Sequence, residues 1–319
     1  MKLATVKNGS PDGRLVVVSS DGLRHAEAQA ATTMQAAIEN WEGVAALLGA
    51  EAEAVESSDA TLDKPSLAAP LPRAWQWLDG SAFTTHGELM QIAFHMDPVP
   101  TDRPLMYQGI SNQFYGPYED VPFPSEADGI DFEGEFGVIV DEVPMGTSPE
   151  AALAHIKLIV QINDWSLRAI APIEMNTGFG WVQAKPPCSV APFAVTPDEL
   201  GGAWKDGRVC LDLAVDWNGS RFGNANGREM AFGFHELVAH AARTRKLCAG
   251  TIIGSGTVSN ASYRDVGSSC ISERRAIEMI DTGSASTAFM AIGDHINMEA
   301  RTVDGSVLFG PISQIIVSG

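Results

Sequence analysis

Cations are scarce in this chain of 319 residues. Lysine and arginine together number 21 against 40 aspartates and glutamates, which gives a formal charge of −19 at pH 7. A surface this acidic repels phosphate backbones and acidic lipid headgroups, so we expect no nucleic-acid partner and no membrane binding. An acidic small molecule remains compatible with the composition, provided that the few cations are concentrated where it binds.

Long apolar runs and paired cysteine motifs are lacking as well. No apolar stretch approaches the roughly 18 residues of a membrane span, and the first residues lack the apolar core of a signal peptide. The cysteines are scattered, at Cys188, Cys210, Cys248 and Cys270, with no spacing typical of a zinc or redox site. We interpret them as reduced core residues and expect a cytoplasmic protein.

Strand and turn signals outnumber helical ones along the chain. They favour a mixed β or α+β fold, with a small β domain over residues 1–70 and a larger domain over residues 71–319. A helix is predicted near 31–48, and the acidic, proline-containing stretch after it (51–73) is predicted to be a linker. Further helices are predicted near 149–156 and 231–246.

The sharpest local feature is the sequence DFEGE at residues 131–135. Side chains two apart on a strand point the same way, so Glu133 and Glu135 would share one face. Burying both carboxylates is costly unless a cation compensates their charge. The motif alone leaves two interpretations open: a solvated strand face, or a site for a hard divalent cation to which Asp164, at the end of another apolar strand, adds a third oxygen ligand.

Other polar residues have ordinary explanations beside catalytic ones. A lone histidine such as His86 is more often structural than catalytic, and Arg168, four residues after Asp164, is typical of a surface ion pair. The histidines His235 and His240 are one position too far apart for a zinc-protease motif, which favours an ordinary helix. The loop at 254–260 lacks the lysine of a phosphate loop, so we expect no nucleotide binding.

Five segments, in this order, resemble the fumarylacetoacetate hydrolase family. They are DGSAFTTH (79–86), PLMYQG (104–109), EGE (133–135), NDWSLR (163–168) and GSGTVSN (254–260). Each segment alone is weak evidence for the family, but five segments in the family's order are specific evidence for it. The resemblance implies a β-roll catalytic domain preceded by a small SH3-like β domain, and a homodimer.

The resemblance also implies roles for individual residues. Four carboxylates would bind a divalent metal, magnesium first and manganese or calcium as alternatives: Asp79, Glu133, Glu135 and Asp164. His86 would be the general base. Three further residues would be catalytic, the last of them by orienting the histidine: Arg168, Lys185 and Glu273. Three residues would contact the substrate: Tyr107, Arg168 and Thr257.

The implied reaction is hydrolytic cleavage of a carbon–carbon bond in an acidic diketo acid of the fumarylacetoacetate or acylpyruvate type. The same metal–enolate chemistry would serve decarboxylation of an oxo acid such as oxaloacetate, tautomerisation or dehydration, and these alternatives stay open. Outside enzymes, the alternative is a metal-stabilised binding protein. The presence of both His86 and Arg168 argues against a non-catalytic role.

Overall fold

The computed structural model describes residues 1–95, 97 and 102–319. The α-helices of this part of the chain are α1 (Met34–Glu39), α2 (Trp41–Ala54), α3 (Thr84–Phe94), α4 (Pro149–Ala152), α5 (Ala171–Thr177), α6 (Phe234–Ala241), α7 (Tyr263–Val266) and α8 (Ile271–Thr282). Within the same residues, no helix combines the length and the apolar character that crossing a membrane requires.

The strands are β1 (Lys2–Val6), β2 (Arg14–Val18), β3 (His25–Glu27), β4 (Trp77–Gly80), β5 (Met106–Gly109), β6 (Val121–Phe123), β7 (Ile130–Asp131), β8 (Gly134–Val140), β9 (Ile156–Asn163), β10 (Ser166–Leu167), β11 (Ser189–Val190), β12 (Ala194–Val195), β13 (Trp204–Lys205), β14 (Arg208–Val209), β15 (Asp212–Trp217), β16 (Ser220–Asn226), β17 (Thr251–Gly254), β18 (His295–Ala300) and β19 (Ile312–Ser318).

Two sheets dominate the fold. A ten-stranded mixed sheet has the order β3-β2-β1-β12-β9-β8-β17-β4-β5, with β11 paired to β9, and a five-stranded sheet has the order β16-β15-β18-β19-β6. Both sheets are open, and the mixed α/β class confirms the coarse prediction. Strands β1 to β3 extend the large sheet through the pairing of β1 with β12. An SH3-like domain over residues 1–70 stays a prediction, as does the domain boundary.

The large sheet is buried on both faces. On β8, Phe136 and Val138 belong to the main core cluster together with Met298 of the second sheet, whereas Ile139 belongs to a cluster with Met34 of α1. Alternate residues of a strand point to opposite faces, so the second sheet covers one face and helices α1 and α2 cover the other. This double burial explains the nearly continuous apolar runs of β8 and β9.

The helix predicted near 31–48 is two helices that meet at Asn40. The first begins after Thr33, whose side chain accepts a hydrogen bond from the backbone N–H of Ala36 at 3.1 Å. Helix α2 continues to Ala54 and a 3₁₀ turn follows over 55–57, so the linker prediction is wrong for residues 51–57. Alternating glutamate and alanine are strong helix formers, and that propensity outweighs the acidic composition that suggested a linker.

Other predicted elements are confirmed, with shifted ends. Helix α4 begins after Ser148, whose hydroxyl accepts from the N–H of Ala151 at 3.3 Å, and a 3₁₀ turn over 153–155 continues it. Helix α6 lies inside the predicted 231–246 range. Asn218 and Gly219 join β15 to β16 with φ of 51° and 77°, left-handed values that glycine and asparagine tolerate.

The polar residues lie at one end of four adjacent strands of the large sheet, which are β9, β8, β17 and β4. Strand β17 pairs parallel with β4 and antiparallel with β8, so the ends of β4 and β17 lie beside the start of β8. The register puts Gly254 between Asp79 and Gly137. A Cβ at Gly254 would lie 2.4 Å from Oδ1 of Asp79 and 3.0 Å from Oε2 of Glu135. The missing side chain therefore leaves the space in which two carboxylates approach each other.

Gly254→Ala should destabilise the fold, because the added methyl would also lie 2.3 Å from Cη2 of Trp77. We expect the free energy of unfolding, measured with urea, to fall by about 1–3 kcal/mol, the usual cost of overpacking a core. The matched control is Gly49→Ala in α2, where a Cβ meets no atom within 4 Å and helix propensity should add about 0.5–1 kcal/mol. An unchanged urea midpoint for Gly254→Ala would contradict the close approach.

Candidate metal and active site

Three buried carboxylates meet at this end of the large sheet. Oxygens of Asp79, Glu135 and Asp164 all lie within 4.8 Å of one another. Asp79 stands on β4, Glu135 near the start of β8, and Asp164 directly after β9. Because β8 runs antiparallel to β9, its start lies beside the end of that strand. The fold thus assembles three of the four residues that the resemblance implies as metal ligands.

Glu135 carries the clearest sign of an absent partner. Its side chain is fully buried, yet neither carboxylate oxygen has a hydrogen-bond partner in the described part of the chain. Burial, followed by the charges of Asp79 and Asp164, raises the pKa of Glu135 well above its usual range. Burial and the charge of Asp164 also raise the pKa of Asp79 well above its usual range. An unpartnered buried carboxylate is costly, and a set of hard oxygen donors fits a divalent cation such as magnesium, manganese or calcium.

Glu133 is the fourth of these acidic residues, and it is fully engaged by protein groups. Its two oxygens accept hydrogen bonds from Ser166, Arg168 at 2.7 Å, Lys185 at 2.8 Å and Thr257 at 2.6 Å. Burial alone would raise the pKa of Glu133, but the charges of Lys185 and Arg168 prevail and hold it far below its usual range. Glu133 is therefore an ionised counterion for two cations.

Asp164 is held from both sides. Its Oδ2 accepts from the hydroxyl of Tyr107 and from Nζ of Lys185, both at 2.6 Å. Its Oδ1 accepts from the thiol of Cys188 at 3.0 Å, a contact that the sequence analysis missed. Burial raises the pKa values of Tyr107 and of Cys188, so both groups stay protonated and remain donors. Lys185 joins Asp164 to Glu133, and these two carboxylates raise its pKa against the effect of burial.

His86 and Glu273 form a pair between α3, which follows the strand that carries Asp79, and α8, whose first N–H groups donate to Asp131. Nδ1 of His86 lies 2.8 Å from Oε2 of Glu273, whose side chain is fully buried. The residues stand in the first turns of α3 and α8, and 187 positions of chain separate them. A carboxylate on Nδ1 favours the tautomer that carries its hydrogen there, which leaves the lone pair of Nε2 free. This is the arrangement that a general base requires.

Arg168 pairs with Asp131 and Glu133, and not with Asp164 at the surface as the ordinary explanation expected. Its Nε donates to Asp131 at 2.8 Å and its Nη2 to Glu133, and only a fifth of the side chain is exposed. Asp131 also accepts from the backbone N–H groups of Ile271 and Ser272, at 2.7 and 2.9 Å, at the start of α8. Asp131 was not singled out from the sequence, although its place two residues before Glu133 was a signal that it shares the same face.

Comparison with known proteins places the chain in a family. A family model described as the C-terminal domain of fumarylacetoacetate (FAA) hydrolase matches residues 76–314. The chain belongs to the fumarylacetoacetate hydrolase family. A second model, described as fumarylacetoacetase N-terminal domain 2, matches residues 1–73. The family resemblance drawn from the five sequence segments is thereby confirmed.

The curated relatives that this family member matches are hydrolases by name. The 2,4-didehydro-3-deoxy-L-rhamnonate hydrolase of Sphingomonas sp. (strain SKA58) is 29% identical over 163 residues, which are 50% of this chain and 54% of the relative. The chain spans about half the length of the curated relatives it matches.

Solved structures share the fold over the whole chain. A maleylpyruvate hydrolase from Sphingobium sp. SYK-6, in complex with manganese(II) and pyruvate, has a TM-score of 0.68 at 19% identity and full coverage of both chains. A 5-carboxymethyl-2-hydroxymuconate delta-isomerase from Mycobacterium smegmatis has a TM-score of 0.63 at 16% identity, covering 100% of this chain and 99% of its own.

Glu135→Gln should weaken metal binding and stabilise the metal-free protein. Because the pKa of Glu135 is raised by folding, the folded state keeps a proton that the unfolded state loses above about pH 4.3, so this residue's contribution to stability falls as pH rises. Glutamine has no such proton to lose. In EDTA, the melting temperature of the variant should therefore exceed that of the unaltered protein by a margin that grows from about pH 5 to about pH 8.

Two further variants make this test specific. Glu142, which is 61% exposed and pairs with Lys246 at 2.8 Å, is the control, and its change to Gln should alter neither stability nor metal affinity. Glu133→Gln should lower stability, since Arg168 and Lys185 would lose a counterion. If calorimetry gave Glu135→Gln an unaltered affinity for magnesium and manganese, the carboxylate cluster would not be the metal site.

Proposed function

We propose that this protein is a divalent-metal-dependent hydrolase that cleaves a carbon–carbon bond in an acidic diketo acid of the fumarylacetoacetate or acylpyruvate type. The observation that carries the proposal is the buried carboxylate triad, with both oxygens of Glu135 unpartnered in the described residues. The His86–Glu273 pair, whose histidine stands on the helix that follows the strand of Asp79, supplies a candidate base. The hydrolase names among the relatives support it, as does the neighbour solved with manganese(II) and pyruvate.

Asp79, Glu135 and Asp164 would hold the ion, for which magnesium, manganese and calcium all suit the oxygen donors. Glu133 is proposed as a fourth ligand, and that role requires at least one of its present hydrogen bonds to give way. When bound, the ion would polarise the substrate carbonyl and balance negative charge on the neighbouring oxygen.

His86 would supply the proton transfers. Its Nε2 takes a proton from a water molecule, whose oxygen adds to the carbonyl carbon distant from the acid group. The carboxylate of Glu273 stabilises the imidazolium that forms. The carbon–carbon bond then breaks, its electron pair leaves with the oxo acid fragment as an enolate, and His86 returns the proton to that fragment's carbon. The products are a carboxylic acid and an oxo acid, which is a 2-oxo acid from an acylpyruvate and a 3-oxo acid from fumarylacetoacetate, and one water is consumed.

The four proposed contacts around the substrate differ in what they can offer. Nη1 of Arg168 has no acceptor within the described residues, so it can donate to a carboxylate oxygen of the substrate fragment that leaves as the enolate. Lys185 can oppose the charge that develops on the enolate. Tyr107 and Thr257 give their hydroxyl hydrogens to Asp164 and Glu133, so towards a substrate these two hydroxyls accept hydrogen bonds.

His86→Ala should lower kcat by about 100-fold or more while metal affinity stays unchanged, since the histidine acts as a base and not as a ligand. The matched control is His155→Ala. His155 also pairs through Nδ1 with a carboxylate, Asp141 at 2.6 Å, but just beyond the opposite end of β8. We expect nearly normal turnover in that variant. A comparable loss in both variants would show that His86 supports the fold only.

A second outcome at the same site is favoured by the isomerase among the solved neighbours. Enolate stabilisation also serves tautomerisation, dehydration or decarboxylation of an oxo acid. Incubation with magnesium and, separately, acetylpyruvate, fumarylacetoacetate and oxaloacetate distinguishes these reactions by their products: two acids, an isomer or carbon dioxide. Metal binding without turnover of any of them would favour the metal-stabilised binding protein instead. The homodimer and the cytoplasmic location also remain proposals.

A further inference from the structure

Helix α6 borders a surface cavity of about 380 Å³. Its walls come from three segments: residues 102–104 before β5, residues 146–149 at the start of α4, and residues between 232 and 243. None of these lining residues is a carboxylate of the candidate metal site or a side chain that contacts one. The volume suits a small molecule, so the chemistry of the lining decides what the cavity can bind.

Three basic side chains converge on this cavity: Arg103, His240 and Arg243. Arg103 comes from the segment before β5, whereas His240 lies in the last turn of α6 and Arg243 just after it. Burial, followed by the charges of Arg243 and Arg103, lowers the pKa of His240, because both guanidinium groups lie near the imidazole. Like charges repel one another, so their convergence in a chain of net charge −19 favours an anion between them.

The two acids of the lining leave most of this positive charge free. Asp102 pairs with the adjacent Arg103 at 3.0 Å, but both side chains are more than 60% exposed, and such surface pairs are weak. Oε2 of Glu236 accepts from the N–H of Gly233 at 2.7 Å and so serves the start of α6. Arg243 is exposed and has no ion pair in the described part of the chain.

A second cavity, of about 320 Å³, shows the contrast. It also contains two cations, Lys7 and Arg73, but Lys7 pairs with Glu119 and Arg73 with Asp12, both at 2.7 Å. Protein acids therefore already neutralise the cations of that cavity. The chain beside the first cavity lacks local acids, since residues 237–264 contain neither aspartate nor glutamate.

The remaining wall of the first cavity is largely apolar. Pro104 is buried, and Pro149, Phe232 and Ala239 are partly buried. Apolar walls that carry a few convergent polar groups are typical of small-molecule sites. A bare inorganic anion would leave this carbon surface unused, so the lining favours an anion with a carbon body.

We infer that this cavity binds a small organic phosphate monoester, with its phosphate between Arg103, His240 and Arg243 and its carbon body against Pro104 and Phe232. Two guanidinium groups and an imidazole, carried by separate segments, suit the three terminal oxygens of a tetrahedral dianion better than the two oxygens of a planar carboxylate. The site is additional to the proposed function, because binding here requires neither the metal nor turnover.

The probe for this site is phenyl phosphate, titrated by calorimetry into the whole protein, first as purified and then in EDTA. We expect one site with a Kd of about 0.1 mM, unaltered by EDTA and weakened by salt. Loss of binding in EDTA would place the phosphate on a metal ion and overturn the inference, as would no binding in either condition.

Two further ligands test the assigned chemistry. Inorganic phosphate lacks the ring that would contact the apolar wall, and benzoate lacks the third oxygen and the second charge. Each should bind about 10-fold more weakly than phenyl phosphate. Equal affinity for inorganic phosphate would overturn the role of the apolar wall, and equal affinity for benzoate would overturn the assignment to phosphate.

Arg243→Gln removes one guanidinium group from the cavity and should weaken phenyl phosphate binding by about 10-fold or more. Arg103→Gln should do the same from the second segment. The matched control is Arg245→Gln, because Arg245 is also exposed and its loss changes the net charge equally, but it does not line the cavity. That variant should stay within about twofold of the unaltered protein. Equal losses in Arg243→Gln and Arg245→Gln would show a response to overall charge and overturn the site.

Discussion

Repulsion among buried carboxylates is the constraint on which this site depends. Asp79, Glu135 and Asp164 bring their oxygens within 4.8 Å of one another, and no cation contacts Glu135 in the described residues. Such an arrangement opposes folding unless the charges are neutralised by protons or by a metal. The rest of the fold supplies the stability that holds the three strands in place: two core clusters on opposite faces of one sheet, and a glycine between two of the carboxylates. In the proposed metal site, this local cost would be recovered when a cation binds.

Arg168 and Lys185 contact carboxylates other than Glu135. Glu133 binds both Arg168 and Lys185, and their charges lower its pKa against the effect of burial. Because Lys185 also reaches Asp164, that carboxylate is restrained, whereas Glu135 keeps both oxygens unpartnered in the described residues. Asp131, Glu133 and Asp164 thus have cationic partners, whereas Asp79 and Glu135 form no ion pair in the described residues.

The sequence predicts the parts of the site that depend on short-range geometry. The alternation in DFEGE places Glu133 and Glu135 toward the same region, and the short loop from β4 to α3 brings His86 close behind Asp79. Contacts across the fold were accessible only through the family resemblance, as for Glu273, which lies 187 positions from His86. The hydrogen bond that Asp131 accepts at the start of α8 could not be predicted from the sequence, because it depends on where a distant helix begins. The sequence indicated only that Asp131, two residues before Glu133, would lie on the same face of a strand.

Arg168 shows why residue type and position do not fix a role. An arginine just after a ligand aspartate suggests a free anion receptor, and in the fold its guanidinium already bridges Asp131, which caps α8, and Glu133, which balances Lys185. Removing it would leave two buried carboxylates short of a counterion, at a cost of about 3–5 kcal/mol, and would disturb the helix that carries Glu273. A lysine keeps the charge but cannot span both partners. Arg168 therefore joins Glu133 to the start of the helix that carries Glu273, and the nitrogen it leaves without an acceptor in the described residues is Nη1.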